Sequence, residues 1–279
     1  MRVGDLEILP VLDGAGREPA RESLTKPGVA DPWSCHQDML DADGNLLLDI
    51  GGFLLRTGGR TVLVDAGVGT IDNAKYHGGR FLDSLRRYGV EPEDVTDVVF
   101  THLHFDHVGW ATQKGVVVFP NATYRVHIAD ADHFLTGPDA NPGAVRKLGP
   151  LADRWSTFSG DTTIAPGLDA RHTAGHTPGS CVYIVSGGGE RAVLLGDVVH
   201  SVVELTEPDW EAVFDVDPAA AKAVRARLAD ELVDTSDLVA GAHFPELRLG
   251  RLVTAGRSRR FIASEETTWT WGSPGGRSW

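Results

Sequence analysis

Residues 101–107 read Thr-His-Leu-His-Phe-Asp-His after an apolar stretch and form a dense cluster of potential metal ligands. On an extended segment side chains alternate between two faces, so His102 and His104 point to the same side. Asp106 and His107 then leave the turn that follows. A single histidine at a strand end is usually a core or rim residue. Four potential ligands within six positions instead indicate a metal site.

Three further candidate ligands lie far along the chain, each in a turn or directly after an apolar run. His176 lies in the turn sequence Gly-His-Thr-Pro-Gly, Asp197 follows one predicted strand and His243 follows another. Each residue alone is a weak signal for a metal site. An aspartate directly after a strand, for example, more often caps the next turn. Together with the cluster they supply five imidazoles and two carboxylates. That donor set suits two divalent cations with positions left for water and substrate.

Turn residues and apolar periodicity predict a mixed α/β organisation. Apolar runs at 46–56 and 61–65, joined by Thr-Gly-Gly-Arg, predict a β-hairpin. Helical spacing over 72–88, followed by a strand over 95–100, adds a strand–helix–strand unit that delivers the cluster. Asp217 is the predicted N-cap of a later helix, with proline in its first turn. Candidate ligands therefore recur at strand ends, where loops can bring them into one cleft.

The N-terminal region combines a predicted strand with a long loop. Loose alternation over 5–13 predicts the strand, whereas residues 14–45 are rich in Gly, Pro, Asp and Glu. Loops of that length tend to be functional lids or disordered, so we predict an N-terminal lid loop. Trp33, Met39 and Leu40 within it would line a substrate mouth or merely anchor the loop to the body.

The C-terminal tail, about 264–279, carries Trp269, Trp271 and Trp279. Exposed tryptophans can mark a dimer contact, so a homodimer is one expectation, and packing of the tail onto the body or disorder of the tail are the others. No linker interrupts the chain, so residues 1–279 are predicted to form a single domain.

Composition and charge narrow the range of partners. The 279-residue chain carries a formal net charge of −13, which would repel a phosphate backbone, so a nucleic-acid partner is not expected. Cys35 and Cys181 show no CxxC spacing, which fits a reducing compartment. The sequence shows neither a secretory signal pattern nor an apolar run of about 20 residues. We therefore expect a cytoplasmic protein without a membrane partner.

These motifs resemble those of the metallo-β-lactamase-fold hydrolases. The His-Leu-His-Phe-Asp-His run at 102–107 matches the HxHxDH motif of that superfamily. Its other landmarks are matched in the same order by the segments 63–67, 175–179, 196–197 and 241–243. The similarity covers about residues 45–255. It implies an αββα sandwich, in which two mixed β-sheets pack face to face between helices and the site lies along one edge.

The resemblance also divides the candidate ligands between two zinc ions, with Mn, Fe or Co as alternatives. Three side chains would hold one metal, three would hold the other, and one would bridge both: His102, His104 and His176; Asp106, His107 and His243; and Asp197. Asp65 would orient a ligand histidine through a hydrogen bond, or it would simply form the turn before Ala66 and Gly67.

Two such cations imply hydrolysis at a carbonyl or phosphoryl centre, because they generate hydroxide at neutral pH and polarise the electrophile. The length of the chain and its segment 241–252 resemble those of one branch of the superfamily, which contains the N-acyl-homoserine lactonases and the methyl-parathion-type hydrolases. We therefore expect a binuclear zinc hydrolase of small esters, with lactones favoured. A metal-bridging hydroxide would attack the carbonyl, and Asp106, Asp197 or His200 would relay the proton. Hydrolysis of organophosphate triesters or aryl esters is the alternative, and a non-catalytic metal-stabilised binding protein is a third hypothesis.

Two positions depart from the patterns of related enzymes. His200 stands where lactonases typically carry a tyrosine placed to assist the ring carbonyl or the leaving oxygen. Its near-neutral intrinsic pKa suits it to bind substrate or transfer a proton, and a supporting role would fit equally well. Ser180 stands where many superfamily members have a second histidine, which bears on substrate recognition more than on metal binding.

Overall fold

The computed structural model describes residues 1–138, 140–207 and 209–264, which form two main β-sheets packed face to face with helices on their outer sides. Within these residues the strands are, in chain order, β1 (Arg2–Val3), β2 (Leu6–Pro19), β3 (Leu24–Thr25), β4 (Asn45–Thr57), β5 (Arg60–Val64), β6 (Tyr76–His77), β7 (Asp97–Val99), β8 (Thr112–Gln113), β9 (Val116–Val117), β10 (Thr123–His127), β11 (Trp155–Phe158), β12 (Thr162–Ala165), β13 (Leu168–His172), β14 (Cys181–Gly187), β15 (Glu190–Leu194), β16 (Glu211–Ala212), β17 (Leu238–Ala240), β18 (Gly250–Ala255) and β19 (Ser258–Ala263). The α-helices are α1 (Ala20–Ser23), α2 (Phe81–Arg87), α3 (Ile128–Ala131), α4 (Pro142–Leu148), α5 (Val202–Thr206) and α6 (Pro218–Leu232).

Both main sheets are mixed. The first has the order β1-β2-β4-β5-β7-β10-β11, antiparallel up to β5 and parallel from β5 onward, and β6 also pairs with β2. The second has the order β12-β13-β14-β15-β17-β18-β19 and is antiparallel except for the parallel pair β15–β17. Two mixed sheets between helices are the predicted αββα architecture, so the fold-class prediction is confirmed.

Apolar side chains on both faces of the central strands join the layers. Phe53 and Leu55 of β4 belong to the cluster between the sheets that includes Tyr183 of β14, whereas Leu54 packs on the opposite face with α2. On β14, Val182 likewise belongs to the outer cluster with α6. Coverage on both faces explains the near-continuous apolar runs in the sequence. The parallel pairs β5–β7 and β15–β17 direct their C-terminal ends to one edge of the sandwich.

The loop predicted over 14–45 is wrong at its start. Strand β2 continues through Gly14 to Pro19 and pairs with β4 along its length, with a bulge between Leu12 and Gly14. At the bulge the backbone runs so close to the adjacent strand β6 that a Cβ at Gly14 would lie 1.7 Å from the carbonyl oxygen of His77. Glycine at this position therefore permits the close pairing of strands, although its presence favoured a loop in the sequence.

Trp33 decides between the two alternatives for the rest of that segment. Its side chain is fully buried, and its indole N–H donates to the carbonyls of Ala20 and Leu24, each at 3.0 Å. Its ring centroid lies 5.0 Å from that of Trp210. Trp33 therefore anchors the segment to the body, whereas Met39 lines a cavity beside the candidate site.

Helix α2 is shorter than the predicted helix over 72–88. It begins at Phe81, because part of the chain before it pairs with β2 as strand β6 instead. The hairpin β4–β5, strand β17 and helix α6 match their predictions. At the start of α6 the Asp217 side chain accepts the backbone N–H of Ala220 at 3.0 Å, as expected of an N-cap.

The tail predicted over 264–279 lies outside the described residues from position 265 onward. The expectations stated above for its tryptophans therefore stay predictions. Among the residues that are described, no helix is both long enough and apolar enough to cross a membrane.

Candidate metal centre

All seven candidate ligands meet at the edge where the parallel strand pairs end. The 102–107 cluster follows β7, His176 lies between β13 and β14, Asp197 follows β15, and His243 follows β17. Six of the seven side chains are buried, and the side chain of His104 is partly exposed. The structure thus brings together every residue that the sequence predicted as a ligand, and metal binding by these residues stays a prediction.

Three imidazole nitrogens form the first cluster. Nε2 of His102 lies 2.9 Å from Nδ1 of His104, and Nε2 of His176 lies 3.2 Å and 3.0 Å from those two atoms. A tetrahedral ion with Zn–N distances of about 2.0–2.1 Å places its nitrogens about 3.3 Å apart. The three nitrogens are therefore spaced suitably for one small divalent cation, and imidazole is a donor that zinc favours.

Asp106, His107 and His243 form the second cluster. Nε2 of His243 lies 3.5 Å from Oδ2 of Asp106, and Nε2 of His107 lies 3.9 Å from Oδ1 of the same residue. Asp197 packs against both rings, with its Oδ1 3.3 Å from Nε2 of His107 and 3.2 Å from Nε2 of His243. Nε2 of His107 and Oδ1 of Asp197 are buried without a hydrogen-bond partner among the described residues. Buried polar atoms normally have a hydrogen-bond partner. A cation bound by both of these atoms would supply the partner that each of them lacks.

Asp197 also reaches the first cluster. Its Oδ2 lies 3.9 Å from Nε2 of His102 and 3.8 Å from Nε2 of His176. One carboxylate thus contacts nitrogen atoms of both clusters, as a bridging ligand must. The residue before it, Gly196, has a φ of 54°, and a Cβ there would lie 2.7 Å from the side chain of Thr101. Only glycine fits this turn, which presents Asp197 to the site.

Burial keeps the histidines of the first cluster neutral. It lowers the pKa of His102 far below its usual value, and the neighbouring imidazoles add to that effect. For the same reasons the pKa of His104 falls to about 3, and the pKa of His176 is also lowered. Neutral rings retain the lone pairs that a cation needs.

The second cluster is governed by its carboxylates instead. Burial opposes protonation of His107 and His243, but the charges of Asp197 and Asp106, joined at His107 by that of Asp65, together outweigh it and raise the pKa of both rings. Burial likewise opposes ionisation of Asp197, yet the two histidines hold the pKa of its carboxyl well below the usual value. The carboxylate is therefore ionised, and a divalent cation can replace the protons that the histidines would otherwise hold.

Asp65 supports the second cluster from behind. Its Oδ2 lies 2.9 Å from Nδ1 of His107, and its two oxygens accept the backbone N–H and the hydroxyl of Thr101, each at 2.8 Å. The contact favours the tautomer of His107 with its proton on Nδ1, which leaves Nε2 directed at the cluster. Asp65 also has a φ of 63°, so it forms the turn and makes the orienting contact at the same time.

Two further buried carboxylates support the ligands and were missed from the sequence. Oδ1 of Asp215 lies 3.0 Å from Nδ1 of His176. Asp130 accepts the backbone N–H of Leu103 at 3.1 Å and that of Gly179 at 2.6 Å, and burial raises its pKa to about 6. Asp130 thus ties the 102–107 loop to the loop that carries His176. Neither aspartate has a local sequence signal, because its partners lie far away in the chain.

His200 is buried beside the predicted bridging ligand. Its Nε2 lies 3.7 Å from Oδ2 of Asp197, and its Nδ1 lies 3.4 Å from Oε2 of Glu204. Burial opposes protonation of the ring, but Glu204 and Asp197 together raise its pKa to about 9. A protonated imidazole at this position is able to donate a hydrogen bond or a proton to a substrate oxygen.

Apolar side chains border the clusters on the solvent side. Phe105 lies between two of the candidate ligands in the chain and is 47% exposed. The Tyr76 ring meets it edge to face, with the centroids 5.0 Å apart, and the Tyr76 hydroxyl bonds to the buried carboxylate of Glu18. Met39 and His200 line a cavity on another side of the site. The entrance therefore offers apolar surface to a small organic molecule next to a polar centre.

The two-sheet fold and the seven candidate ligands at its edge agree with the family to which the sequence matches. The family model of the metallo-beta-lactamase superfamily matches residues 52–243, which is more than half of the chain and includes all seven candidate ligands. The chain belongs to this superfamily. The resemblance inferred from its motifs is confirmed.

Within the superfamily the chain is similar to several individual enzymes. The chain is similar to an N-acyl homoserine lactonase from Bacillus sp., with 28% identity over 159 residues that cover 49% of this chain and 58% of that enzyme. The match thus spans less than two thirds of the relative's length. Among solved structures, AidC, a dizinc quorum-quenching lactonase in complex with a product, has a TM-score of 0.85 and 25% identity, covering 96% of this chain and 97% of that one. The hydrolase AbOPH of the beta-lactamase superfamily has a TM-score of 0.84 and 28% identity, with the same coverage of 96% and 97%.

Proposed function

We propose that this protein is a metal-dependent hydrolase of small-molecule esters, with lactones as its preferred substrates, and that it works with two zinc ions. The observation that carries the proposal is the position of Asp197. Its carboxylate lies 3.2 Å from a nitrogen of His243 in one cluster and 3.8 Å from a nitrogen of His176 in the other. A shared carboxylate of this kind holds two cations side by side in binuclear hydrolases.

The proposed ligands are the seven predicted from the sequence. Three hold the first zinc, three hold the second and one bridges: His102, His104 and His176; Asp106, His107 and His243; and Asp197. When bound, the two cations would supply hydroxide at neutral pH and polarise the oxygen of the scissile carbonyl. Every other part of the reaction depends on the side chains around them.

The proton is moved by groups that the chain itself provides. Asp106 and Asp197 are carboxylates within the site and are placed to accept a proton from the attacking nucleophile. His200, whose Nε2 lies 3.7 Å from Oδ2 of Asp197, is placed to donate a proton to the departing alkoxide. Phe105 and Tyr76 border the entrance, cover part of the substrate and exclude water from it.

The choice among substrates rests on the relatives and on His200. The Bacillus relative and AidC are both lactonases, and both support lactones as the preferred class. Organophosphate triesters or aryl esters are the alternative, favoured by His200 in the position where lactonases typically carry a tyrosine. The whole-chain similarity to the hydrolase AbOPH fits either substrate class.

One preparation of protein tests the proposal through metal content and hydrolysis together. Zinc-loaded protein is assayed with an N-acyl homoserine lactone, a nitrophenyl ester and a phosphotriester, before and after treatment with a chelator. We expect two zinc ions per chain and fastest, chelator-sensitive hydrolysis of the lactone. Faster turnover of the phosphotriester would favour the alternative. Two bound metals without turnover of any substrate would favour a non-catalytic binding protein.

Variants connect the two readouts. His104→Ala removes a nitrogen of the first cluster and should lower metal content and hydrolysis together. His36→Ala is the matched control, because His36 pairs with Glu207 at 2.9 Å and belongs to neither cluster. Full activity in the His104 variant would contradict the proposal.

A further inference from the structure

A buried arginine lies behind the metal centre. Arg225 of α6 is 3% exposed, and its guanidinium donates to Oδ2 of Asp215 through both terminal nitrogens, at 3.2 and 3.3 Å. Its Nη1 also lies 3.2 Å from Oε1 of Glu204. Further hydrogen bonds of 3.2 Å reach the carbonyls of Val198 and Trp210. One side chain thus contacts two buried carboxylates and the short turn that follows Asp197.

Each of these carboxylates contacts a different histidine. Oδ1 of Asp215 lies 3.0 Å from Nδ1 of His176, which is a predicted ligand of the first zinc. Oε2 of Glu204 lies 3.4 Å from Nδ1 of His200 and accepts the backbone N–H of the same residue at 2.6 Å. The two histidine rings are themselves 4.9 Å apart. Arg225 is therefore the common partner of two chains of contacts that end at neighbouring imidazoles.

Charge explains why an arginine occupies this position. Glu204 and Asp215 are both buried, and a buried carboxylate is costly unless it is paired and hydrogen-bonded. The planar guanidinium presents five N–H donors in fixed directions, so it can contact both carboxylates and two backbone carbonyls at once. A lysine ammonium is a single point of charge and cannot reach all of these acceptors in one geometry.

We propose that Arg225 is a positioning residue that fixes the orientation of His176 and His200 relative to each other, acting through Asp215 and Glu204. The proposal rests on the proposed function in one respect, namely that His176 binds a metal. Asp215 holds the proton of His176 on Nδ1 and so keeps Nε2 directed at the first cluster, while Glu204 holds the ring of His200 beside Asp197. Without Arg225 both carboxylates would have to rearrange, and both rings would move with them.

The back of this network is accessible from solvent. A cavity of about 500 Å³ is lined by Arg225 and Glu204 together with Lys222, Ala226 and Arg257. A guanidinium ion added to the solution is therefore able to reach the space that Arg225→Ala would open. Recovery by this ion would show that the site requires a guanidinium group at this position, and the cobalt spectrum described below reports separately on the ligand geometry.

The experiment compares Arg225→Ala with Arg225→Lys and with a matched control, Arg191→Ala. Arg191 also joins two carboxylates, Asp237 at 2.7 Å and Glu231 at 3.3 Å, but neither of them contacts a histidine of the site. Zinc affinity is measured by competition with a chelator. The visible spectrum of the cobalt-substituted protein reports ligand geometry, and kcat and KM are measured on the best substrate.

We expect Arg225→Ala to lose about 10- to 100-fold in metal affinity or kcat, as is typical when the outer partners of metal ligands are removed. Its cobalt spectrum should also change. Guanidinium at tens of millimolar should restore the spectrum and the lost metal affinity or kcat, whereas sodium chloride at equal ionic strength should not. Arg225→Lys should recover only part of the loss. Arg191→Ala should keep the affinity, spectrum and kcat of the wild type.

Three results would overturn the proposal. The first is an Arg225→Ala variant with unchanged metal affinity and spectrum. The second is a loss that guanidinium does not repair. The third applies if that variant fails to fold, because Asp215→Asn and Glu204→Gln then decide. Metal affinity must fall in Asp215→Asn and kcat must fall in Glu204→Gln, and the absence of either loss contradicts the proposal. If the wild type binds metals but hydrolyses nothing, the proposed function fails, while the affinity and cobalt spectrum still test Arg225.

Discussion

Replacing Asp65 with asparagine tests how an outer hydrogen bond sets metal affinity. Asparagine has nearly the same shape and tolerates the left-handed φ of 63° at this position. The change therefore removes one acceptor and the charge while keeping the turn. The remaining oxygen is needed by the backbone N–H of Thr101, 2.8 Å away, so the new amide group must face Nδ1 of His107, which lies 2.9 Å from Asp65.

Two N–H groups cannot face each other at that distance, so His107 would move its proton to Nε2. That nitrogen is the one directed at Asp197, 3.3 Å away, and it would no longer offer a lone pair to a cation. Loss of an outer contact of this kind lowers metal affinity by about 10- to 100-fold. The equivalent free energy of binding is about 1.4–2.7 kcal/mol. We expect the second cluster to lose its metal first.

Titration with zinc in the presence of a chromogenic chelator measures the two binding constants. The matched control is Asp72→Asn, because Asp72 also pairs with Nδ1 of a histidine, that of His77 at 2.6 Å, but on the exposed surface. The control should bind both metals as the wild type does. An Asp65→Asn protein with two unchanged binding constants would show that Asp65 does not set the tautomer of His107.

Three further predictions concern kinetics, packing and pH. His200→Phe should keep both metals and change kcat or substrate preference, because the ring lies 3.7 Å from Asp197 outside the proposed ligand set; unchanged kinetics would show that it is only structural. Trp33→Ala should destabilise the protein by about 3–5 kcal/mol in urea denaturation, since it removes a fully buried indole, and a loss below 1 kcal/mol would contradict its role as an anchor. Burial and the stacked ring of His172 lower the pKa of His127 to about 4. Between pH 6.5 and 4 the His127 side chain is therefore protonated more readily in the unfolded chain than in the folded protein. The free energy of unfolding falls as the pH falls, by up to about 2 kcal/mol at pH 5. Urea denaturation at pH 7 and pH 5 measures that loss of stability, and the loss should be smaller in His127→Gln. An equal loss in both proteins would mean that other titratable groups cause it.

The candidate ligands could be located from the sequence because their signals are local. The 102–107 cluster is dense enough to be recognised without a structure, and the other three follow apolar strands or lie in a glycine-proline turn. Strand ends of an α/β sandwich gather at one edge, so residues such as Asp197 and His243 were expected to converge there. Their convergence is the part of the site that the sequence specifies most fully.

The supporting network could not be predicted, because it depends on contacts between distant elements. Arg225 appears in the sequence as one of several charged residues on a helix, and its burial follows only from the packing of α6 against the loop after β15. Asp215 and Asp130 are ordinary loop or helix aspartates until their partners, 39 and 49 residues away, are brought next to them. Buried ion pairs of this kind leave no periodic pattern.

The errors in the fold have a similar origin. Gly14 and the residues up to Pro19 have the composition of a loop, yet β4 supplies backbone partners along the whole segment. Helical periodicity extended the predicted helix back to 72, whereas residues 76–77 pair with β2, and this pairing prevails over local preference. In both places tertiary hydrogen bonding decided the structure. Apolar runs with two buried faces, such as β4 and β17, were assigned correctly because burial alone determines them.

Anomalous diffraction at the zinc absorption edge, from crystals grown with zinc, would show whether two cations share Asp197. We expect two peaks about 3.5–4 Å apart, one within the three-histidine cluster and one beside His107 and His243, with the carboxylate of Asp197 between them. A single peak, or peaks that lie away from these side chains, would contradict this expectation.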